Sequence, residues 1–502
     1  MNNIYISSLL CATYMALCNC TAIAGGMASS PSAWESDRKP NVLIILADDL
    51  GAMDVGFDNQ DTFYETPHLD SLACEAIRFS EAYAANPVCS PTRYSVQTGK
   101  HPTKAGLTTW LPWSNDQRHE RFLSAELTME MALSETTIAE RLKKLGYQTA
   151  FVGKWHLGKG EAFRPDKQGY DRNIGGWGKG APSSYFSPYN NPCLSDGPDG
   201  EFITERLTEE TIKLLEEYSA NEKPFFIMHS FYQVHTPLQA PKYLVDKYEG
   251  KLKLKKIDRA GVFKIEEQFH ESTEPRLVRQ NQSHAVYAAM VESMDTAVGK
   301  ILAKLSELNL DKNTLIIFTS DNGGLSSSEG SPTSNVPGRG GKGWLYEGGI
   351  RVPMLMKWPT KYPVPAVVDV PVTSIDIVPT VMDAVGVEPE DADQLDGISL
   401  IQVADKGRSE PRSLFWHYPH YSNQGGFPGA CVRSQQWKLL ENFEDGRVEL
   451  YDLERDPRES HDLSDEFPQI TRKLREELHD WYADSNAKFL RRKDDGPSPW
   501  HP

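Results

Sequence analysis

Long apolar runs, cysteine and net positive charge are all scarce in this chain of 502 residues. Beyond residues 4–18 (IYISSLLCATYMALC) no segment approaches the roughly 20 apolar residues that a bilayer crossing requires. Stable membrane insertion is therefore not expected. Of the seven cysteines, Cys11, Cys18 and Cys20 belong to that N-terminal region. Cys74, Cys89, Cys193 and Cys431 remain, too few and too widely spaced for a disulfide framework. Lys and Arg number 53 against 70 Asp and Glu, a net charge of −17. Nucleic acid is excluded as the main partner, because phosphate backbones select basic surfaces. No internal repeat is visible. What remains, 39% hydrophobic and 25% charged, is the composition of a globular protein with a large core.

The N-terminus reads as an export signal over residues 1–24, with Ala22-Ile23-Ala24 as a small-x-small cleavage site. It lacks the usual Lys or Arg at its start, and a lipid anchor on Cys18 or Cys20 is the alternative. The expected location is periplasmic or secreted. Residues 25–39 form a linker, 40–405 a large domain and 406–502 a smaller C-terminal subdomain. Apolar runs alternate with amphipathic stretches, which predicts an α/β fold with a largely parallel sheet. Strands are expected at Val42–Ala47, Gln148–Val152, Phe225–His229 and Leu315–Thr319. Helices are expected at Thr137–Leu145, Glu205–Tyr218 and Ala285–Leu305. Residues 250–283 read as an exposed insertion and 323–343 as a long glycine- and serine-rich loop. The C-terminal subdomain is expected to be a small antiparallel sheet with strands at Arg433–Leu440 and Glu449–Leu453. A helix over 468–489 and a loosely held tail over 491–502 follow.

Ligands of open α/β sheets bind beyond the carboxyl ends of the strands. Each of the four strands runs directly into polar groups of one chemical theme. Val42–Ala47 leads to Asp48-Asp49, and Gln148–Val152 to Lys154-Trp155-His156. Phe225–His229 leads to His235, and Leu315–Thr319 to Asp321-Asn322. Asp48, Asp49, Asp321 and Asn322 offer only oxygen ligands, a set suited to a hard cation such as Ca²⁺, or Mg²⁺, rather than zinc. The bland alternative is that strand-end aspartates cap helices. Cys89 is placed at the start of a helix with Pro91 in its first turn, and a four-residue spacing puts Arg93 on the same face. Lys154, Lys342, Arg93, His156 and His235 would add positive charge able to stabilise an anionic transition state. Each alone reads equally well as a solvated lysine or a structural histidine.

The stretch Cys89-Ser90-Pro91-Thr92-Arg93 has the form Cys-x-Pro-x-Arg and resembles the maturation site of type I sulfatases. Further matching segments are Ala47-Asp48-Asp49-Leu50-Gly51, Thr98-Gly99-Lys100, Gly153-Lys154-Trp155-His156-Leu157-Gly158, Ser320-Asp321-Asn322-Gly323-Gly324 and Gly341-Lys342-Gly343. Tyr346-Glu347-Gly348-Gly349, Trp437-Lys438-Leu439 and Leu450-Tyr451-Asp452-Leu453 extend the match to about Leu463. The chain resembles the formylglycine-dependent sulfatases of the alkaline phosphatase superfamily, with 40–405 as the catalytic domain. The resemblance implies that a formylglycine-generating maturation enzyme oxidises Cys89 to an aldehyde. Its hydrate would join Asp48, Asp49, Asp321 and Asn322 on a Ca²⁺ and attack sulfur. Arg93, Lys154 and Lys342 would hold sulfate oxygens. His235 with Lys342 would protonate the leaving alcohol, and His156 would help expel sulfate. One departure from the family pattern is His68, where many relatives carry Asn; it receives no catalytic role.

The expected substrate is a sulfated carbohydrate, such as ulvan, carrageenan or a glycosaminoglycan fragment. Trp110, Trp113, Trp177 and Tyr185 are candidates to stack on sugar rings, with ordinary packing as the alternative. Trp416-His417-Tyr418-Pro419-His420-Tyr421 resembles the segment by which polysaccharide-acting sulfatases reach over the active site, making His417 and His420 candidate substrate contacts. A phosphate or phosphonate ester hydrolase of the same superfamily is the nearest rival, and a non-catalytic glycan-binding protein the rival from another class.

Overall fold

Six apolar residues in a row cannot serve as a half-exposed strand; Val42–Ala47 requires apolar cover on both faces. The computed structural model supplies it, and describes residues 39–112, 120–255, 261–266, 276–387, 395–407 and 410–502. The expected signal and linker, up to residue 38, and Trp113 lie outside the described residues. Strand β1, Asn41–Ala47, is the middle of an eight-stranded sheet. Its companions are β2 (Ile77–Phe79), β3 (Gln148–Gly153), β4 (Arg172–Ile174), β5 (Phe225–Ser230), β6 (Thr314–Ser320), β7 (Met354–Lys357) and β8 (Ala366–Val368). The spatial order is β8-β2-β7-β6-β1-β5-β3-β4, and every strand except β7 runs in the same direction.

Alternation along β1 divides the core. Leu43, Ile45 and Ala47 join Leu207, Leu214, Met290 and Met294 from helices Ile203–Ser219 and Ala285–Glu307. Val42, Ile44 and Leu46 join Tyr94, Val96, Leu142 and Val381 from helices on the opposite face. Full burial of each such side chain contributes about 1.5–3 kcal/mol, so one strand anchors two layers. The mostly parallel sheet flanked by helices is the fold expected from the sequence.

The four strands picked out by their polar ends are adjacent, in the order β6-β1-β5-β3. Their ends are level: Ala47 pairs with Ser320, Leu46 with Ser230, and Gly153 with Ser230. Residues separated by more than 270 positions are thereby delivered to one edge of the sheet, as the hydrogen bond from Asn322 to Asp49 shows.

Beyond helix Leu400–Lys406, which still packs in the large core, an antiparallel sheet runs β9 (Ser413–Tyr418), β10 (Gly429–Ser434), β11 (Trp437–Asn442), β12 (Val448–Asp452). The single strand expected at Arg433–Leu440 is instead a hairpin, turning at Gln435 with φ +56° between β10 and β11. Polar Ser434-Gln435-Gln436 supplies the turn between the two strands. The final helix, Pro468–Asp484, is shorter than expected, with the backbone reversing at Asn486 (φ +51°). The tail is not loose. Arg491 exchanges backbone hydrogen bonds with Leu123 at 2.9 and 2.8 Å, and Trp500 stacks on Phe443 at 6.2 Å. The charged residues of the tail stay largely at the surface while the partly buried Trp500 ring anchors it. Within 250–283 the described residues include the end of helix Lys242–Leu254 and a hairpin, Phe263–Glu266 with Arg276–Arg279; its first strand is exposed as expected, with Ile265 62% exposed, but Val278 and Arg279 on its second are buried. Residues Lys39–Pro502 form one compact unit. No helix among the described residues is long and apolar enough to cross a membrane.

Candidate active site

Helix Cys89–Thr98 places Cys89 at its first position and Pro91 at its third, where a missing N–H is harmless. It ends at Gly99, whose φ of +71° closes the helix in the left-handed region. Every residue from Cys89 to Thr98 is buried. Arg93, one turn along, reaches across the strand ends. Its Nε and Nη2 lie 2.8 and 2.7 Å from Asp321, while Nη1 donates to the Lys154 carbonyl (2.8 Å) and Ser230 Oγ (2.7 Å).

The remaining expected residues converge on the same point. Lys154 Nζ donates to both oxygens of Asp48 at 2.8 and 2.7 Å. Lys342 Nζ donates to Asp49 Oδ2 at 2.8 Å, and Asn322 Nδ2 to Asp49 Oδ1 at 2.8 Å. Asp49 N–H donates to Asp321 Oδ1 at 3.1 Å. His235 Nε2 lies 3.8 Å from Asp49 Oδ2. Ligand atoms of Cys89, Asp48 and Asp321, and of Cys89, Asp49 and His235, lie within 4.8 Å of one another. Burial, with Asp321 and Asp49 close by, raises the Asp48 carboxyl well above its ordinary value although Lys154 opposes this. Burial also acts on Asp49, but Lys342, His235 and Lys154 together hold it below the carboxylate range. The Cys89 thiol is pushed up to about 11 by burial, so at neutral pH it carries its proton.

Backbone geometry maintains the convergence. Asp49 and His156 have φ of +61° and +62°, a conformation costly for residues other than glycine and frequent at functional sites. At Gly153 a Cβ would lie 1.9 Å from the Ser230 carbonyl oxygen, so only glycine lets β3 turn toward Lys154. The loop carrying His235 is clamped to β1: Asp48 N–H donates to the Gln233 carbonyl at 2.7 Å, and Val234 N–H to the Asp48 carbonyl at 2.5 Å. Tyr185, a sugar-stacking candidate, is buried beneath this loop and donates to the Tyr232 and His235 carbonyls.

The two histidines are oriented differently. His156 Nε2 faces the Leu111 carbonyl and so carries the hydrogen, leaving Nδ1 buried without a partner. His235 Nδ1 donates to the Thr236 carbonyl at 2.8 Å, turning Nε2 toward Asp49. Burial, followed by the charge of Lys342, lowers His235 to about 4, whereas the Asp49 carboxylate keeps Lys342 protonated despite its burial.

The acidic set fits a hard cation. It presents three carboxylates and one amide oxygen, and Asn322 Oδ1 is buried with no hydrogen-bond partner. A carbonyl-type oxygen left unpaired in the interior costs free energy unless something else meets it.

The expected substrate contacts fare less uniformly. His417 is not brought to the site. Its ring packs among Phe443, Tyr482 and Phe489 at 5.3–5.9 Å, on the far face of β9. Side chains alternate along a strand, so the neighbour Tyr418 takes the near face instead. Tyr418 Oη lies 3.2 Å from Thr109 Oγ1 and within the field of Lys342 and Cys89. His420 stands behind Tyr418 at 5.6 Å, with Nε2 against Thr108 Oγ1 at 2.7 Å. Trp110 is half-buried against the cluster containing Val88, Trp344 and Tyr418. Trp177 lies beside His156, whose N–H donates to the Trp177 carbonyl at 3.1 Å.

Sequence reasoning missed Ser230, Tyr418 and Glu329. Ser230 ends β5 and had a signal, a hydroxyl at a strand terminus. Glu329, in the long loop, joins the His235 loop to the C-terminal subdomain: it accepts from Thr236 Oγ1 (3.4 Å), Asn423 Nδ2 (2.9 Å) and Gln424 Nε2 (2.8 Å). Nothing local marks such a residue.

Comparison with known proteins agrees with this geometry. The sulfatase family model matches residues 40–387, and the model of the C-terminal region of N-sulphoglucosamine sulphohydrolase matches 339–484. N-acetylgalactosamine-6-sulfatase of Mus musculus is 29% identical over 76% of this chain and 69% of its own length. A sulfatase of Formosa agariphila is 28% identical over 92% of both chains. Among solved structures, Ps i-CgsB in complex with k-i-k-neocarrahexaose superposes with a TM-score of 0.71 at 27% identity, covering 89% of this chain and 94% of that one. With the acidic and cationic residues assembled around a buried Cys-x-Pro-x-Arg helix, the chain belongs to the sulfatase family and is a sulfuric ester hydrolase of alkaline-phosphatase-like fold.

Proposed function

We propose that this protein is an exported sulfatase that removes sulfate from carbohydrates released during polysaccharide degradation, using a formylglycine made from Cys89. One observation carries the reading: Cys89, at a buried helix N-terminus, is flanked by the donor atoms of Asp48, Asp49, Asp321 and His235, while Arg93, Lys154 and Lys342 point into the same space. The carbohydrate class is supported by the relatives named for N-acetylgalactosamine 6-sulfate and by the structure bound to a neocarrahexaose.

The hydrate of an aldehyde at position 89 would supply a hydroxyl nucleophile that a protonated thiol does not. A Ca²⁺, or Mg²⁺, held by Asp48, Asp49, Asp321 and Asn322 would act as a Lewis acid there. The chain's own groups do the rest. Arg93, Lys154 and Lys342 neutralise and orient the sulfate oxygens, a role that works because these cations are fixed in place before substrate arrives. His156, with Nδ1 open, accepts a proton. Lys342 is protonated at neutral pH beside His235, and this pair delivers a proton to the departing alcohol. Since residues 89–93 are all buried, the maturation enzyme must reach Cys89 before the domain closes.

Two results are expected. Chelation should lower activity, and Ca²⁺ should restore it better than Zn²⁺. Ca²⁺ should also raise the melting temperature of the wild type, since a ligand that binds only the folded state stabilises it. Insensitivity of both readouts to every metal would count against the oxygen-ligand site. His235→Ala should reduce kcat on a sugar sulfate by about 10²–10⁴-fold and on 4-nitrophenyl sulfate far less, because nitrophenolate leaves without protonation. Equal losses on both substrates would remove His235 from the proton-donating pair.

A further inference from the structure

A cleft of about 580 Å³ opens between the hairpin Phe263–Glu266/Arg276–Arg279, the 335–340 segment and the edge strand β12 of the C-terminal sheet. That volume lies within the range of sites that hold small ligands and sugars. The cleft is separate from the catalytic centre but shares a loop with it. Asn335–Gly340 lines the cleft, and two residues further on Lys342 reaches Asp49.

The lining is cationic in a chain that is not. Five basic residues face three carboxylates, against a net charge of −17 for the protein. The carboxylates are already engaged. Glu266 holds Arg339 at 2.6 Å, Glu449 Oε2 accepts from the Tyr346 and Tyr451 hydroxyls, and Asp462 Oδ1 accepts from the Leu450 and Ser464 N–H groups. Lys264 and Arg458 are exposed, and no carboxylate among the described residues pairs with either. Arg279 is held by neutral groups only, the Ser331 carbonyl and Ser283 Oγ, with its guanidinium over the Phe263 ring. A fixed arginine without a carboxylate partner beside exposed cations is an arrangement suited to anionic groups.

We propose that this cleft is a second, non-catalytic binding site for a linear sulfated glycan, gripping a stretch of the polymer remote from the sulfate being cleaved. This rests on the carbohydrate-sulfatase reading above. Tethering by a second site raises the effective concentration of the polymer at the first, so long substrates gain and short ones do not.

The test uses the full-length double variant Lys264→Glu, Arg458→Glu. Both side chains are exposed, and an unchanged melting temperature establishes that the fold is kept. Sulfated hexasaccharides derived from carrageenan and from heparin, and a monosaccharide sulfate, serve as probes for calorimetric binding and for sulfate release. Binding of a hexasaccharide should weaken about tenfold, the weight of two charge reversals near a polyanion, and the effect should shrink in high salt. KM for the hexasaccharide should rise while its kcat, and both constants for the monosaccharide, stay at wild-type values. Unchanged hexasaccharide binding overturns the cleft assignment even if sulfate is released. Weakened binding by a protein that releases sulfate from no sugar would uphold the cleft and sink the catalytic reading instead.

Discussion

Replacing Cys89 with alanine is expected to abolish sulfate release, a loss on the order of 10⁶ in kcat, the scale on which removing an enzymatic nucleophile acts. The fold should survive. Cys89 is only 1% exposed, but alanine keeps the helix start and removes one sulfur atom from a region held elsewhere by ion pairs. Losing one small buried group typically costs about 1 kcal/mol. The measurement is sulfate release by ion chromatography, with the protein co-produced with a formylglycine-generating enzyme, alongside urea unfolding of both forms. Turnover by the alanine variant would falsify the formylglycine mechanism. Loss of turnover together with loss of structure would make Cys89 a packing residue instead, and Cys89→Ser, which keeps a γ atom at that position, would separate the two.

Lys438→Met should be the most destabilising exchange among those considered, by about 3–5 kcal/mol, although Lys438 touches no substrate. Its ammonium is fully buried on β11 between two carboxylates, Glu347 at 3.0 Å and Glu459 at 2.8 Å. Glu347 also accepts from Tyr83 Oη at 2.7 Å, and its N–H donates to Glu459 Oε2 at 2.7 Å. Methionine fills the space but leaves two buried carboxylates without their shared cation. The pH dependence follows from the shifts. Burial raises Glu459 to about 7, whereas Glu347, buried too, is held at about 2 by Lys438, Arg433 and Arg351. A carboxyl raised above its unfolded value favours the folded state at low pH, and that contribution is lost as pH rises through the folded value. In the variant Glu459 rises further and Glu347, no longer held down by Lys438, loses the stability its depressed value gives above the unfolded range, so the deficit should widen as pH increases through 7. Urea midpoints of both proteins at about pH 5 and pH 8 measure it. A deficit that is small or independent of pH would show that the triad is not held by charge.

This triad illustrates what motif reading could and could not extract. Tyr346-Glu347-Gly348-Gly349 and Trp437-Lys438-Leu439 were visible as matching segments, yet nothing in either sequence says that the two meet. They meet because β11 lies in the C-terminal sheet beside the loop that carries Lys342. The lysine therefore ties the subdomain to the catalytic loop rather than serving the reaction. His417 makes the same point from the opposite direction. A polar-aromatic run named the right segment, but only the pairing of β9 with β10 decides that Tyr418 rather than His417 joins the cluster of Val88 and Trp344.

By itself the sequence determined the four adjacent central strands of the sheet, their polar ends and the identity of the residues that gather there. Apolar runs specify buried strands, and an open parallel sheet collects chemistry at their carboxyl ends whatever the connections between them. The tertiary structure alone decided which cation pairs with which carboxylate, which histidine nitrogen stays open, and that Glu329, Lys438 and the cleft residues have roles at all. Those choices depend on side-chain parity, positive-φ turns and contacts across hundreds of residues. Short-range pattern records none of these, because each is set by where a distant backbone happens to close.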